Sequence, residues 1–260
     1  MKNDALIGYS GFVGSTLMNQ ASFQAWYRST NIADIAKQSF DTVICAAAPA
    51  QKWRANQEPA QDLLNIKRLM THLEPLACKQ FILISTVDVF KEPVAVDEST
   101  LVVESALQPY GLHRYQLEQF VRKQFPKHLI VRLPGLVGPG LRKNIIFDFC
   151  HTHNLQAIDS RHVFQFYPIV NLWYDIQIAL NASLSLIHLT AEPITVSAVA
   201  QQGFGKIFSN HLNQAPIHYD MRSQYADLWG TVGAYQYPTA ASIQAIRTYA
   251  QSEAGKPPCD

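Results

Sequence analysis

The sequence is poor in charge and contains neither a basic cluster nor a long apolar run. Charged residues make up 16% of its 260 positions, and the formal net charge is +1. This composition excludes the electrostatic footprint of a protein that binds nucleic acid or an anionic membrane surface. No apolar run approaches the roughly 20 residues of a membrane-spanning helix, and the N-terminus shows no secretory signal. We therefore expect a cytoplasmic protein without a membrane-spanning segment. The composition does not exclude small molecules as partners.

Cysteine is also scarce, and its spacing excludes a C-x-x-C pair. The four cysteines are Cys45, Cys78, Cys150 and Cys259. Such spacing favours free thiols in a reducing compartment and argues against a structural zinc site. The remaining metal candidates are His151, His153 and His162, but two histidines two positions apart on a helix point in different directions. We predict no metal.

Short apolar runs alternate with segments of helical period along the first 190 residues. We place strands near residues 3–7, 25–28, 42–47, 80–86, 128–133 and 186–190. The alternation is typical of strand-helix-strand units and of a parallel sheet with helices on both faces. The predicted fold class is α/β, with a Rossmann-like, doubly wound parallel sheet.

Three helices are predicted from apolar spacing and capping residues. The first begins near Pro59. Its buried face comprises Leu63, Ile66, Met70 and Leu73. The second spans residues 111–124. Its buried side chains are Leu117, Phe120 and Val121. The third begins after Asn171, a good N-cap.

A glycine-rich loop connects the first strand to the first helix in "ALIGYSGFVGSTL", residues 5–17. Its three glycines have G-x-x-G-x-x-G spacing: the first permits a tight turn, the second lets the backbone approach a pyrophosphate, and the third lets helix and strand pack closely. We predict that the loop binds a dinucleotide. The predicted contacts are Gly8, Ser10, Gly11, Phe12, Val13 and Gly14. The alternative is an ordinary tight turn that binds nothing.

The end of the second strand favours NADP over NAD. An acidic residue about 20 positions after the loop would bind the ribose 2′-hydroxyl of NAD, and none is present. Instead the chain carries Arg28, Ser29 and Asn31. A guanidinium can bind a 2′-phosphate through two hydrogen bonds. We predict NADP as the preferred cofactor, with NAD as the alternative, unless Arg28 is only a solvated residue at a strand end.

The composition changes in the Pro- and Gly-rich segment "LPGLVGPGLRKN", and regular periodicity ends near residue 191. We therefore assign residues 1–133 and about 171–190 to a dinucleotide-binding domain. Residues 134–170 and 191–253 are assigned to a small C-terminal substrate lobe, and 254–260 to a flexible tail.

Four stretches together resemble the extended short-chain dehydrogenase/reductase superfamily, in its NAD-dependent epimerase/dehydratase group. They are the glycine loop at 8–14, "DTVICAAAP" at 41–49, "ISTVDVF" at 84–90 and "PYGLHRYQLE" at 109–118. A fifth, "VRLPGLVGPG" at 131–140, is similar to the strand and loop that follow the catalytic helix in that family. The order of the stretches matches the family, which acts largely on nucleotide sugars.

The resemblance implies a role for three residues. Thr86 matches the residue that hydrogen-bonds the reacting carbonyl or alcohol, and Tyr110 matches the general acid or base. Arg114 stands where most of the family has a lysine, giving YxxxR in place of YxxxK. Arginine keeps the positive charge but effectively never deprotonates. Electrostatic activation of Tyr110 is therefore retained, whereas a proton relay through position 114 is lost.

The resemblance also implies further contacts. The cofactor contacts are Ala46, Ala47, Ala48, Tyr110, Arg114 and Pro134. Asp88 matches an acidic catalytic position of the dehydratases, but Val87 stands where that branch often has a second acid. Elimination is therefore less favoured than redox chemistry or epimerisation. The alternative for Asp88 is a carboxylate that caps a loop.

The substrate side contains basic and aromatic residues. Arg142 and Lys143 precede a predicted helix start at Asn144, and these three residues form a candidate anion site. Arg222 is a second candidate for binding a diphosphate. The alternative for all four is solvated surface. The aromatic residues of this region either line the pocket or lie in the core. They are Phe164, Phe166 and Tyr167.

Three hypotheses remain. The first is an NAD(P)-dependent oxidoreductase or epimerase acting on a nucleotide sugar or a related hydroxy or keto compound. The second is a dinucleotide-binding sensor with weak or no turnover, which Arg114 favours and the pair Thr86 and Tyr110 disfavours. The third is that no cofactor binds. The resemblance further implies a homodimer through the helices at 58–73 and 111–124.

Overall fold

The computed structural model describes residues 2–253, so the tail at 254–260 and Cys259 lie outside the described residues. The strands are β1 (Asp4–Ile7), β2 (Ala25–Tyr27), β3 (Ser39–Cys45), β4 (Ala77–Thr86), β5 (Val94–Val96), β6 (His128–Leu133), β7 (Gly135–Val137), β8 (Val163–Phe164), β9 (Phe166–Pro168), β10 (Leu186–His188), β11 (Ile194–Thr195) and β12 (Asp220–Met221). The α-helices are α1 (Phe12–Gln20), α2 (Lys52–Gln57), α3 (Pro59–Leu73), α4 (Pro109–Gln124), α5 (Ile145–His151), α6 (Leu172–Asn181), α7 (Val196–Ala198) and α8 (Thr239–Glu253). A π-helical turn spans Val199–Gly203, and 3₁₀ turns span Ile32–Lys37, Val87–Val89, Glu104–Ala106, Leu155–Ala157, Ile169–Asn171 and Ala226–Trp229. None of the helices among these residues is both long and apolar enough to cross a membrane.

The described chain divides into two compact units. The first contains residues 2–91, Ser99–Leu133 and Leu172–His188. The second contains Glu92–Glu98, Pro134–Asn171 and residues 189–253. The sequence pattern places residues 92–98 in the dinucleotide-binding domain, whereas the structure places them in the second unit. The reason is strand pairing, because β5 in this segment is hydrogen-bonded to β12.

The first unit is built on a six-stranded parallel sheet of order β10-β6-β4-β3-β1-β2. This confirms the predicted Rossmann-like α/β class and all six predicted strands. β3 and β4 begin three residues earlier than predicted, where Ser39 pairs with Ala77. Phe40 in this added part is buried in the core and pairs with Cys78, so apolar burial and cross-strand hydrogen bonds together extend the strands.

The strand order reverses next to β1. From β1 the chain passes to β2 on one side, and it then returns to β3 on the other side. In an open α/β sheet, the crevice at such a reversal, outside the carboxyl ends of the strands, is where ligands bind. Gly8 follows β1 and Ala46 follows β3 at this crevice, and the backbone N–H of Ala46 donates to the carbonyl of Ile7.

Helices α3 and α4 pack against each other on one face of the sheet, at the positions predicted for them. The buried residues of α3 are Asp62, Ile66, Leu69 and Leu73. The predicted Leu63 and Met70 are only half-buried, as is Phe120 on α4, whereas Leu117 and Val121 are buried. The buried stripe of α3 is rotated because Asp62 turns inward to meet side chains of α4.

The second unit contains three two-stranded sheets, β5 with β12, β7 with β9 and β8 with β11. Phe166 and Tyr167 are core residues, whereas Phe164 is half-buried. The hydroxyl of Tyr249 on α8 donates to the carbonyl of Leu141 at 2.9 Å. This buried bond holds α8 to the loop that precedes α5.

Candidate active site

Two glycines of the loop after β1 are required by the packing of the chain itself. Gly8 has φ +89°, and a Cβ there would lie 2.5 Å from the carbonyl oxygen of Ala46. A Cβ at Gly14 would overlap the carbonyl of Gly8. The first glycine therefore lets β1 turn beside β3, and the third lets α1 pack onto the loop, as the spacing predicts.

Gly11 differs from the other two because no protein contact requires it. A Cβ at Gly11 would lie 3.5 Å from the carbonyl of Gly8, which is an ordinary contact distance. Gly11 is the N-cap of α1, no side chain caps that end, and the first turn contains no acidic residue. An uncapped helix N-terminus presents its backbone N–H groups and the positive end of the helix dipole to an anion. The absent side chain at Gly11 leaves the approach to these groups open.

Arg28 lies at the end of β2 beside this loop. Its exposed guanidinium carbon is 5.9 Å from the ring centre of Tyr9, and its Nε donates to the hydroxyl of Thr30 at 3.1 Å. Asn31 instead stabilises the turn, since its Oδ1 accepts from the backbone N–H of Arg28 at 2.7 Å and its Nδ2 donates to the carbonyl of Trp26. Arg28 and the exposed Ser29 therefore remain the ligand candidates here, whereas the amide of Asn31 is engaged in the turn.

Thr86 and Tyr110 are brought together at the carboxyl end of β4. Thr86 is the last residue of that strand, and Tyr110 is the second residue of α4; the Thr86 hydroxyl lies close enough to the Tyr110 hydroxyl to lower its pKa. The close approach depends on Gly111, where a Cβ would overlap the carbonyl oxygen of Asp88. The sequence patterns did not indicate Gly111, although a glycine directly after the tyrosine in a helix is itself a sign of close packing.

The Tyr110 hydroxyl is held in its protonated form. Burial raises the pKa of Tyr110, and the Asp88 carboxylate raises it further. The charges of Arg114 and Lys52 and the hydrogen bond with Thr86 act in the opposite direction but do not cancel the increase. With a pKa above its ordinary value of about 10, the phenol is a proton donor at neutral pH rather than a base.

Arg114 lies over the Tyr110 ring, with its guanidinium carbon 4.0 Å from the ring centre. This places the cation where the resemblance implies it. The same guanidinium, however, is bound on its other side by the carboxylate of Asp62, with Nη2 at 2.9 Å from Oδ1 and a second, shorter contact from Nη1 to Oδ2. The carbonyl oxygens of Pro49 and Tyr110 accept further bonds. Nε has no hydrogen-bond partner in the described part of the chain but is itself buried, so the implied contact with a cofactor ribose stays a prediction.

Asp62 on α3 is the buried counterion of this arrangement. It is 6% exposed and also accepts a hydrogen bond from Nδ1 of His113 at 2.7 Å. Burial raises the pKa of Asp62, but the hydrogen bonds and charges of Arg114 and His113 outweigh it and lower the pKa below its usual value. Asp62 was not indicated by the motifs. An acidic residue within the apolar stripe of α3 was the available signal, because buried charges in proteins are usually paired.

Asp88 is bound by Lys52, which, like Asp62, the sequence patterns did not indicate. Nζ of Lys52 on α2 donates to Oδ1 of Asp88 at 2.7 Å, and the backbone N–H of Asp88 donates to the Thr86 hydroxyl at 3.2 Å. From the same helix, Oδ1 of Asn56 accepts the backbone N–H of Tyr110 at 3.0 Å. α2 has only six residues and no regular apolar spacing, so its sequence does not indicate a helix or a site.

A buried ionic cluster connects β4, β6 and β10 to α4 behind Thr86. The carboxylate of Glu118 accepts two hydrogen bonds from Arg132, at 3.0 and 2.7 Å, and one from the hydroxyl of Ser85. Nη1 of Arg132 lies 3.3 Å from Nε2 of His188. Glu118 and His188 are completely buried, so the cluster fixes the orientation of the residue that precedes Thr86.

The predicted anion site at α5 is not formed by orphan N–H groups. Oδ1 of Asn144 accepts from the backbone N–H of Ile146 at 2.9 Å and of Phe147 at 3.4 Å, so the side chain caps the helix itself. An anion at this helix start would have to compete with the amide oxygen for these two donors, so the anion site stays a prediction that depends on the side chains of Arg142 and Lys143. The side chains of Arg142 and Lys143 are exposed.

Two other predicted site residues of the second unit are Arg222, which is paired with a carboxylate, and Pro134, which is buried. Arg222 is bound by the carboxylate of Asp220, with Nη2 at 2.7 Å from Oδ2, so its charge is already compensated. The hydroxyl of Tyr235 donates to the same carboxylate. Pro134 is buried directly after β6.

The cysteines and histidines are accounted for by local contacts. Cys45, Cys78 and Cys150 are free thiols, and burial raises the pKa of Cys45 and of Cys78 to about 11. The histidines bond to nearby groups: His151 to the carbonyl of Phe147, His153 to Asp148, and His162 to the backbone N–H of Ile217. Within residues 2–253, no three of the potential ligands histidine, cysteine, aspartate and glutamate are grouped for a metal.

Solved structures with the same fold extend over nearly the whole chain. The dTDP-4-dehydrorhamnose reductase of Bacillus anthracis, in complex with NADP, is 17% identical with a TM-score of 0.75, over 97% of this chain and 99% of that one. The UDP-glucose 4-epimerase of Thermotoga maritima, with UDP-glucose, is 14% identical with a TM-score of 0.72, over 96% and 97%. A UDP-glucuronic acid 4-epimerase variant of Bacillus cereus, bound to NAD, is 16% identical with a TM-score of 0.70, over 96% and 99%. No curated protein sequence matches at a significant level.

The sequence model of one family matches half of the chain, at residues 25–154. The matched part begins at β2 and includes Thr86, Tyr110 and Arg114. The glycine loop lies just before it, and in the structure that loop borders the strand-order reversal beside β3. Since both the matched half and the parallel sheet agree with the resemblance noted in the sequence, the chain belongs to the NAD dependent epimerase/dehydratase family.

Proposed function

We propose that this protein is an NAD(P)-dependent oxidoreductase that reduces a carbonyl group of a nucleotide sugar or a related keto compound. One observation carries the proposal: Tyr110 is a buried phenol beside Thr86 at the carboxyl end of β4, and the guanidinium carbon of Arg114 lies 4.0 Å from its ring centre. A protonated phenol is suited to donate a proton to a carbonyl oxygen. Epimerisation includes the same reduction as one of its halves and is the alternative within this class.

The glycine loop and Arg28 fit a dinucleotide. The open approach at Gly11, the uncapped start of α1 and the exposed guanidinium beside Tyr9 suit a pyrophosphate and a 2′-phosphate. A reduced nicotinamide, when bound, would supply the hydride. Ala46, Ala47 and Ala48 follow β3 at the same crevice and are partly buried, and their contact with the cofactor stays a prediction. NADP is preferred over NAD because the end of β2 offers Arg28 and no carboxylate.

Each catalytic residue then has one task. Thr86 hydrogen-bonds the substrate oxygen and orients it, and the Tyr110 hydroxyl transfers its proton to that oxygen. Arg114 keeps a positive charge on the Tyr110 ring, which stabilises the phenolate that remains. Asp62 fixes the position of the guanidinium. The substrate contacts at Asp88, Arg142, Lys143, Asn144 and Arg222 stay predictions. The first test of the anion site is Arg142→Ala, which should weaken substrate binding.

The direct test is the variant Tyr110→Phe. We expect it to bind NADPH as the wild type does and to lose turnover by roughly a factor of 100 or more, because general acid catalysis contributes about 10² to 10⁴. The measurement is NADPH oxidation with a panel of keto-sugar nucleotides, monitored by absorbance. Tyr115→Phe, on the same helix, is the matched control and should retain full activity. Equal rates in Tyr110→Phe and wild type would contradict the proposal.

A second function has one observation in its favour. The terminal nitrogens of Arg114 are bound within the protein, which restricts their contact with a cofactor and favours a dinucleotide sensor. A protein that binds NADPH tightly but oxidises it with no carbonyl compound would support the sensor.

We infer a cytoplasmic homodimer that uses the outer faces of α3 and α4, as the family resemblance implies. Leu64, 43% exposed, is the apolar residue that α3 presents to solvent. Light scattering of the wild type and of Leu64→Arg tests this: a dimer that dissociates in the variant supports it, and a monomeric wild type contradicts it.

A further inference from the structure

Lys52 occupies a position beside the catalytic pair that the proposed reaction does not yet use. It lies on α2, which is anchored twice at this place. Nζ of Lys52 binds Oδ1 of Asp88 at 2.7 Å, and one helical turn later Asn56 accepts the backbone N–H of Tyr110 at 3.0 Å. The helix therefore holds a cation against the turn that follows β4, next to the hydroxyls of Thr86 and Tyr110.

The charges around Tyr110 occur as two compensated pairs. The groups that face its hydroxyl and ring are Arg114 of α4, Asp88 of the turn after β4 and Lys52 of α2, with Asp62 of α3 and His113 of α4 behind Arg114. Arg114 is paired with Asp62, and Asp88 is paired with Lys52. Lys52 therefore offsets the charge of Asp88, whose other carboxylate oxygen accepts the Thr86 hydroxyl.

The Asp88 carboxylate competes for the hydrogen bonds of the catalytic pair. The Thr86 hydroxyl donates to Oδ2 of Asp88 at 3.5 Å, a long bond, while Nζ of Lys52 binds Oδ1 at 2.7 Å. Loss of the lysine charge would strengthen the pull of the carboxylate on the Thr86 hydroxyl and would oppose the negative charge that forms on the phenol during proton donation. The other cation, Arg114, is paired with Asp62.

We propose that Lys52 is a positioning residue for the reaction: by binding Oδ1 of Asp88, it offsets the negative charge beside the Thr86 hydroxyl and so keeps Thr86 and Tyr110 ready to act on the substrate oxygen. The role rests on the proposed function, because it is defined by proton donation from Tyr110. It requires a positive charge at position 52 and not a proton relay. Lys52→Arg is therefore expected to behave like the wild type, whereas Lys52→Met is expected to lose the function of Lys52.

The first test measures the Tyr110 hydroxyl without substrate or cofactor. Replacing Tyr110 by 3,5-difluorotyrosine moves its titration toward neutral pH and gives it a fluorine NMR signal. We expect Lys52→Met to shift the titration midpoint to higher pH, Lys52→Arg to restore it, and the double variant Lys52→Met with Asp88→Asn to return it toward the wild-type value. The matched control is Lys79→Met, which removes an exposed lysine paired with Asp41 at 2.7 Å, away from the site. An unchanged midpoint in Lys52→Met would overturn the proposal.

The second test measures turnover and separates this proposal from the function itself. We expect kcat for carbonyl reduction to fall about tenfold in Lys52→Met, the effect of a charge acting through one intermediate group, while the Kd for NADPH stays unchanged and Lys52→Arg restores kcat. A loss that arginine does not rescue, together with an unchanged titration midpoint, would mean a merely structural role and would contradict the proposal. If the wild type binds no dinucleotide, the proposed function fails, whereas the fluorine titration still decides the role of Lys52.

Discussion

At the residue scale, the buried ion pair between Asp62 and Arg114 fixes the cation that lies beside Tyr110. A guanidinium has enough donors to bind Asp62, Pro49 and the Tyr110 carbonyl at once, whereas an ammonium group has three. The arginine is therefore built into the contact between α3 and α4 while its planar face still lies on the Tyr110 ring. It carries a fixed charge there, because a guanidinium effectively never deprotonates.

Removing one partner of this pair should be strongly destabilising. We expect Asp62→Ala to lower the free energy of unfolding by about 3–5 kcal/mol, because it leaves a buried guanidinium without its counterion. Denaturant titration at neutral pH measures this. Glu58→Gln is the matched control, since Glu58 forms an exposed pair with Arg54 and should change stability by less than about 1 kcal/mol. An equal, small effect of both variants would contradict the role of Asp62.

The same pair gives the stability a defined dependence on pH. The pKa of Asp62 is lowered in the folded state, so its contribution is fully present above the unfolded-state pKa of about 4 and is lost as the pH falls through the folded-state value. The difference in unfolding free energy between wild type and Asp62→Ala should therefore be constant near neutral pH and decrease below about pH 4. A difference that stays constant into acid would show that the carboxylate charge does not matter.

Sequence patterns indicate Thr86 and Tyr110 because both fall at strand and helix ends within recognisable motifs. They do not indicate Lys52 or Asp62, whose importance arises from contacts between residues 36 and 52 positions apart. The local contacts of Asn31 and Asn144 could not be predicted for a related reason. Each amide is used by its own turn or helix start, and such local hydrogen bonds become visible only with the backbone in place.

At the element scale, the loop between β1 and α1 contains glycines that serve different purposes. Gly14→Ala should destabilise the fold, because its Cβ would overlap the carbonyl of Gly8. Gly11→Ala should leave the unfolding free energy within about 0.5 kcal/mol of the wild type and weaken NADPH binding at least tenfold, since its Cβ meets no protein atom closely but enters the approach to α1.

Thermal unfolding and calorimetry on the two variants separate these roles. Loss of stability without loss of affinity in Gly11→Ala would contradict the assignment of the loop to a dinucleotide.

The loop and the long helices α3 and α4 are predictable from sequence because their apolar periodicity and glycine spacing are local. α2 is not predictable, because contacts with Tyr110 and Asp88 hold its six residues in place.

At the scale of the whole molecule, the order of the strands places the glycine loop and the alanines after β3 at one crevice. Alternating strands and helices predict a parallel sheet, and the sheet has the predicted strands. The assignment of residues 92–98 fails, since β5 pairs with β12, more than 120 positions later in the chain, and nothing in a three-residue strand specifies a distant partner.

Calorimetric titration of the wild type with NADPH and with NADH, with Arg28→Ala alongside, tests whether the glycine loop and Arg28 bind a dinucleotide. We predict tight binding of NADPH, weaker binding of NADH, and a loss of this difference in Arg28→Ala, because the guanidinium is the group assigned to the 2′-phosphate. If neither nucleotide binds the wild type, the glycine loop is only a turn, and the function proposed for Thr86 and Tyr110 is wrong.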